Sequence, residues 1–328
     1  MTVTEMSGTP STVSSSTSGR GREQGSRQQL DREQIAARLL RSSAKASFDP
    51  LVDVDWDAPV DSTRPGIPWH RSSLYGTDLW ESMTHDARAE LTRHEAASVA
   101  SVGIWFELIL ISMLTRHVYE LDPRSQHVQY ALTEIADECR HSIMFGKMIE
   151  KLGAPAYGPG RKTLALGRFF RATSRPIEIF AAALFVEEVL DSLQREAVKD
   201  DEVQPFVREV MHIHVVEEAR HMRYASEELG RQLARASAPV RYASSVRLAI
   251  SCATAASRLI HPRAYAAAGL DIGEAKRVAQ ANPQWQATKA HSARKVMADF
   301  ESLGLMDAAP ARAIYERAGL WKPASSAG

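Results

Sequence analysis

The chain has 328 residues, 44% of them hydrophobic and 24% charged, the balance of a soluble globular protein long enough to bury a sizeable core. Forty Lys and Arg oppose forty Asp and Glu, so the basic surplus of a nucleic-acid binder is missing, and two cysteines, Cys139 and Cys252, are too few for a disulfide framework. Together with an N-terminus that lacks the apolar run of a signal peptide, this sets the expectation of a cytoplasmic protein with no nucleic-acid and no membrane partner.

Residues 1–28 are low in complexity and read as a disordered tail. Residues 29–77 read as an extended arm carrying one short helix, 30–41, in which Ile35 and Leu39 stand four apart. Beyond that helix Pro50, Pro59, Pro65 and Pro68 break any helical period, while Trp56, Trp69 and Tyr75 are placed to pin the segment to a surface; a packed arm is favoured over a lid. From 78 to 322 the pattern predicts one helical domain, with long helices near 78–97, 98–120, 124–152, 173–199 and 202–233 and further ones near 239–260, 271–281, 284–303 and 308–319, then a tail at 323–328. Pro123, the run from Gly153 to Gly160, and Pro205 separate several of them. No strand-length alternation of Val, Ile and Thr occurs, so the fold class is all-α. Ala97–Leu114 is apolar enough for a membrane span, but Glu107 in its middle would be costly in lipid, and a buried helix bearing a functional carboxylate accounts for it better.

Two segments share one pattern, acid-Glu-x-Arg-His: Asp137-Glu138-Cys139-Arg140-His141 and Glu217-Glu218-Ala219-Arg220-His221. Residues three apart share a helix face, so Glu138 with His141, and Glu218 with His221, can each converge on one point. One Glu-x-x-His arises by chance on a solvated face; two copies with the same neighbours do not. A metal-bound His usually donates its other ring N–H to a carboxylate, a role open to Asp137 and Glu217, each serving the opposite helix, with Arg140 and Arg220 balancing charge. Upstream, Glu107 and Glu187 stand in strongly apolar runs, and each precedes its Glu-x-x-His glutamate by 31 residues. A buried Glu must be paired or bound to metal. The chain therefore reads as a duplicated helix hairpin; the bland alternative is a set of salt-bridged core residues. One asymmetry adds to this. His214 lies four residues before Glu218, where the first half has Glu134, and is either a seventh ligand or a packing histidine. His212 falls off that face, Glu188 breaks the matched spacing, and Tyr224 sits one turn past His221 with packing as an equal explanation.

At these residues, over about 95–225, the chain resembles the p-aminobenzoate N-oxygenase family of di-iron enzymes. The double Glu-x-x-His is shared with ribonucleotide reductase small subunits, acyl-carrier desaturases and multicomponent monooxygenases; the added His in His214-x-x-x-Glu218-x-x-His221 is the feature similar to the N-oxygenases. The resemblance implies a ferritin-like four-helix-bundle core with additional N- and C-terminal helices. It implies two iron ions, with manganese as the competitor, held by Glu107, Glu138, His141, Glu187, His214, Glu218 and His221. It further implies O2-dependent oxidation of an aromatic amine through hydroxylamine and nitroso stages to nitro, with electrons from an external donor, since no nucleotide-binding Gly fingerprint occurs. Hydroxylation or desaturation of a carrier-bound substrate and iron storage are the alternatives; storage calls for a large shell, whereas an enzyme is compatible with a homodimer. Arg263 and Arg294 are candidate carboxylate anchors without a motif to support either.

Overall fold

The structure, a computed structural model, describes residues 18–322. Twelve α-helices and no strand occur among them. The core is two antiparallel hairpins. The first is α3 (His85–Val118) with α4 (Gln126–Lys151), the second α6 (Pro176–Lys199) with α7 (Pro205–Arg235); they pack through α3 against α6 and α4 against α7, a ferritin-like bundle. The linkers within the hairpins are short, which forces antiparallel neighbours. The connection between hairpins is long and contains α5 (Arg161–Thr173), which lies on α3.

Local chemistry sets the ends. Thr84 Oγ1 accepts the Ala87 N–H at the start of α3, and Ser125 Oγ accepts that of Val128 at the start of α4, both at 3.2 Å. Pro176 and Pro205 occupy the first turns of α6 and α7, where their missing N–H costs nothing. These caps explain one departure from the sequence reading. The break expected near residue 97 lies instead at Ser82–Thr84, between the one-turn α2 (Asp78–Glu81) and α3, because Thr84 supplies a cap and nothing near Ala97 interrupts the helix. By length and composition α3 alone among the described residues could cross a membrane; more than half of that apolar stretch is buried within the fold.

Helix α1 (Ser18–Ser43) is longer than the expected 30–41 and packs on α4 and α7; residues 18–28, read as tail, belong to it, while 1–17 and 323–328 lie outside the described residues. The C-terminal helices α8 (Ala238–Ala256), α10 (Ile272–Ala281), α11 (Pro283–Ser302) and α12 (Ala309–Arg317) follow the expected positions. Helix α8 covers α6 and is backed by α12, and α11 packs on α6. Helix α5 and the short α9 (Pro262–Ala267), packed on α3, were not anticipated.

Candidate metal centre

Each helix of the bundle core carries at least one candidate ligand inward. Glu107 on α3, Glu138 and His141 on α4, Glu187 on α6, and His214, Glu218 and His221 on α7 are all buried, none more than 3% exposed. Their donor atoms form overlapping groups in which all members lie within 4.8 Å of one another: Glu138, His141, Glu218 and His221; Glu107, His141 and His214; Glu187, His214 and Glu218; and Glu107, Glu138 and Glu187. The structure thus brings all seven sequence-derived candidates to one place.

The histidines show their orientation. His141 Nδ1 faces Glu138 at 3.3 Å and Glu218 at 3.1 Å, and its Nε2 faces Glu217 at 2.9 Å on the opposite helix. His221 mirrors it, with Nδ1 3.3 Å from Glu138 and 3.1 Å from Glu218, and Nε2 3.2 Å from Asp137. The acid preceding each Glu-x-x-His therefore serves the other helix's histidine. Arg140 pairs with Asp137, and Arg220 lies 3.6 Å from Glu217 and 4.0 Å from Asp137, so each orienting carboxylate has a counter-charge. His214 turns Nε2 toward Glu107 (3.5 Å) and Glu218 (3.6 Å), and its Nδ1 lies 2.8 Å from Gln194 Oε1.

Gln194 was missed by the sequence reading. It lies seven residues after Glu187, two turns along the same face of α6, and that spacing was the available signal. The other residues weighed beside the seven fall outside the groups. Glu188 pairs with Lys295 on α11, His212 meets the ring of Phe48 edge-on at 6.3 Å, and the Tyr224 hydroxyl lies 3.0 Å from His127 Nδ1. Glu134, the counterpart of His214, is buried with Oε2 unpartnered, and its pKa is pushed well above the usual range by burial.

The electrostatics are those of too many carboxylates for the cations present. Burial, then repulsion from neighbouring glutamates, raises Glu107 and Glu187 well above the ordinary carboxylate range. Burial opposes ionisation of Glu138 too, as does Glu218, but the neighbouring Glu107, His141 and His221 groups bring it down to about 2. Burial also disfavours His141 as a cation, yet its bonds to Glu138, Glu217 and Glu218 bring it up to about 10. At His214 burial outweighs the pull of Glu218 and takes it down to about 4, leaving a neutral imidazole. Both oxygens of Glu107, one each of Glu138, Glu187 and Glu218, and His214 Nε2 are buried without a hydrogen-bond partner. Unpaired buried polar atoms are rare because each carries a desolvation cost. Here six converge, they are carboxylate oxygen and imidazole nitrogen, and they fit divalent transition metals.

The chain is 28% identical over 238 residues to the uncharacterised proteins Rv0885 of Mycobacterium tuberculosis and Mb0909 of Mycobacterium bovis, an alignment covering 70% of this chain and 69% of each relative. A third, MT0908 of Mycobacterium tuberculosis, is 30% identical over 211 residues, 62% of either chain. The family model described as P-aminobenzoate N-oxygenase AurF matches residues 29–304, and the chain therefore belongs to this family of di-iron oxygenases.

Proposed function

We propose that the seven clustered side chains hold two iron ions and that the protein uses O2 to oxidise the nitrogen of an aromatic amine, with electrons from an external donor. The convergence of six unpartnered donor atoms in a sealed, four-carboxylate cluster carries this reading. Four ionised glutamates offset the charge of two divalent ions, so bound metal relieves the burial and mutual repulsion that disfavour the charged forms of Glu107 and Glu187. When bound, the iron pair supplies the activation of O2 that organic side chains cannot.

What the chain supplies is position and protonation state. Asp137 and Glu217 accept the Nε2–H of His221 and His141 respectively, which turns each Nδ1 lone pair inward. Gln194 Oε1 does the same for His214 by accepting its Nδ1–H, leaving Nε2 as the donor atom. Because burial keeps His214 neutral, it competes for metal without first losing a proton at neutral pH. Ile109, Leu110, Phe185 and Val186, sequence neighbours of Glu107 and Glu187 in the buried core, give the centre an apolar surround that limits side reactions.

Iron-reconstituted protein should contain two iron ions per chain by metal analysis; a plateau at one or none ends the di-iron reading. Glu138→Ala and Glu218→Ala should each abolish O2 consumption while far-ultraviolet circular dichroism stays helical. Reduced wild-type protein given O2 and a panel of arylamines should yield hydroxylamine, nitroso or nitro product carrying label from 18O2. Label on carbon of a carrier-bound substrate, or ferric mineral alone, would replace the N-oxygenase assignment with hydroxylation or storage.

A further inference from the structure

A cavity beside the cluster has one of its members in the wall. Glu187 borders a chamber between α3, α5, α6 and α8, whose ring-bearing walls are Trp105, Phe106, Phe170 and Phe185. Its few polar groups are turned away or neutral. The Ser251 and Thr254 hydroxyls donate to the carbonyls of Arg247 (3.1 Å) and Ile250 (2.7 Å) on their own helix, and burial pushes the Cys252 thiol far above its ordinary pKa. No Arg, Lys or His lines it. The nearby Arg247 is engaged by Glu178 at 3.1 Å and Thr173 at 2.8 Å, and Arg116 by the carbonyls of Arg171 and Ser174. Of the two arginines considered as carboxylate anchors, Arg294 borders a separate cavity with His291 and Glu301, and Arg263 is exposed on α9.

We propose that this chamber is the substrate site and that it takes an arylamine whose ring bears no ionised group, an alkyl- or aryl-substituted aniline rather than an aminobenzoate. The amine end rests on the N-oxygenase reading; the exclusion of charge rests on the chamber walls alone. With the amine directed to Glu187, a para carboxylate lies one ring's length away among apolar side chains, with no donor to replace its water. A ring with an apolar substituent meets only surfaces like its own, and the weakly basic aniline nitrogen is uncharged at neutral pH.

Size identifies the wall that yields. The chamber measures about 50 Å³, against roughly 150 Å³ for an apolar cavity that holds benzene. Helix α5 is the outer wall, joined to α4 through Gly158-Pro159-Gly160, and its Leu166 and Phe169 are 37% and 59% exposed, so it has the least to lose by moving outward. Gly167 lets α5 lie directly on Trp105: a Cβ there would sit 2.5 Å from Trp105 Cζ2.

Calorimetric titration of the full chain, loaded with redox-inert zinc, tests the proposal without turnover. 4-Propylaniline should bind at least tenfold more tightly than 4-aminobenzoate. Ala183→Phe, which fills the chamber, should remove 4-propylaniline binding; Thr254→Arg, which adds a cation at its edge, should shift the preference toward 4-aminobenzoate and covers the case in which Ala183→Phe does not fold. Equal or tighter binding of 4-aminobenzoate to wild type overturns the proposal, as does 4-propylaniline binding that both folded variants leave unchanged. The two readings fail separately. Binding of 4-propylaniline without N-oxidation by the iron-loaded enzyme upholds the chamber and removes the N-oxygenase assignment, whereas N-oxidation of 4-aminobenzoate with no 4-propylaniline binding does the reverse.

Discussion

A glutamate three residues before a histidine is legible in a sequence because helical spacing alone puts both on one face, and the duplication of Glu138/His141 as Glu218/His221 makes chance a poor explanation. The exchange of orienting acids, Asp137 for His221 and Glu217 for His141, was readable for the same reason: both acids occupy the same place in their repeats. For Gln194 the only signal was its two-turn spacing from Glu187: the equivalent position in the first hairpin is Leu114, so the duplication does not point to it, and its purpose exists only where α6 crosses α7 beside His214. Gln194→Leu leaves the His214 Nδ1–H without its acceptor and so lets the ring turn or change tautomer. Removing such a partner typically weakens metal affinity about 10–100-fold. Competitive metal titration should therefore show one of two binding steps weakened by that amount while the other holds. Two unshifted steps would mean that Gln194 only fills space. At Glu134, where the duplication departs from symmetry, burial disfavours the charged form, which fits a position outside the ligand groups.

At the scale of helices, legibility followed the breakers. Pro123, Gly153–Gly160 and Pro205 placed α4 and α7 within a few residues, whereas the break before α3 depends on a Thr84 cap that resembles any other threonine. Helix α5, though longer than α10 and α12, was passed over because its apolar face belongs to another helix, not to a core of its own. Where α1 meets the bundle, burial is unusual in kind. Arg32 on α1 binds Glu228 on α7 at 2.8 and 2.9 Å and donates to His127 on α4, which contacts Tyr224; His117 packs edge-on against His127 at a ring separation of 5.6 Å. Burial first, then the charge of Arg32, pushes His117 down to about 4 and His127 down to about 2. In the unfolded chain both titrate near 6.5. Below that pH the unfolded state gains protons that the fold refuses, so stability falls as pH drops from 6.5 to about 4, by on the order of 1 kcal/mol per pH unit per histidine. Above pH 6.5 the effect is absent. His127→Gln should be less stable than wild type at pH 7 because it loses the Arg32 and Tyr224 contacts, and denaturant midpoints of metal-free protein should show that gap narrowing toward pH 4.5. A gap that stays constant would assign the acid sensitivity elsewhere.

For the whole molecule, the bundle was visible in the sequence and the path of the chain around it was not. Helical period reports which face is buried, but residues 44–77 have no period, and their partners lie on every side of the bundle. Ala46 O accepts from Arg220 Nη1 at 3.0 Å, and the Phe48 N–H donates to Glu217 at 3.2 Å, so the segment touches the very groups that orient His141. Trp56 lies under Lys147, with the ammonium 5.0 Å from its ring, and Gln204 N–H donates to Pro65 O at 3.0 Å. Further on, Arg71 binds Glu196 at 2.5 Å and Ser73 N–H donates to Glu95 at 2.9 Å. Gly66 fixes the middle of this path. Its N–H donates to Thr92 Oγ1 at 3.2 Å, and a Cβ there would fall 2.7 Å from Arg93 Cα and 2.8 Å from Thr92 O. Both obstacles are backbone of α3, so neither can rotate aside, and Gly66→Ala must lift the segment from the helix. Overpacking of this kind costs about 1–3 kcal/mol, and over a chain of this length that lowers Tm by roughly 2–5 °C. Helical content should be unchanged, because the bundle itself is untouched, while limited proteolysis between residues 49 and 64 should accelerate. If the substitution alters neither Tm nor cleavage, the approach of Gly66 to α3 is not what holds this segment in place.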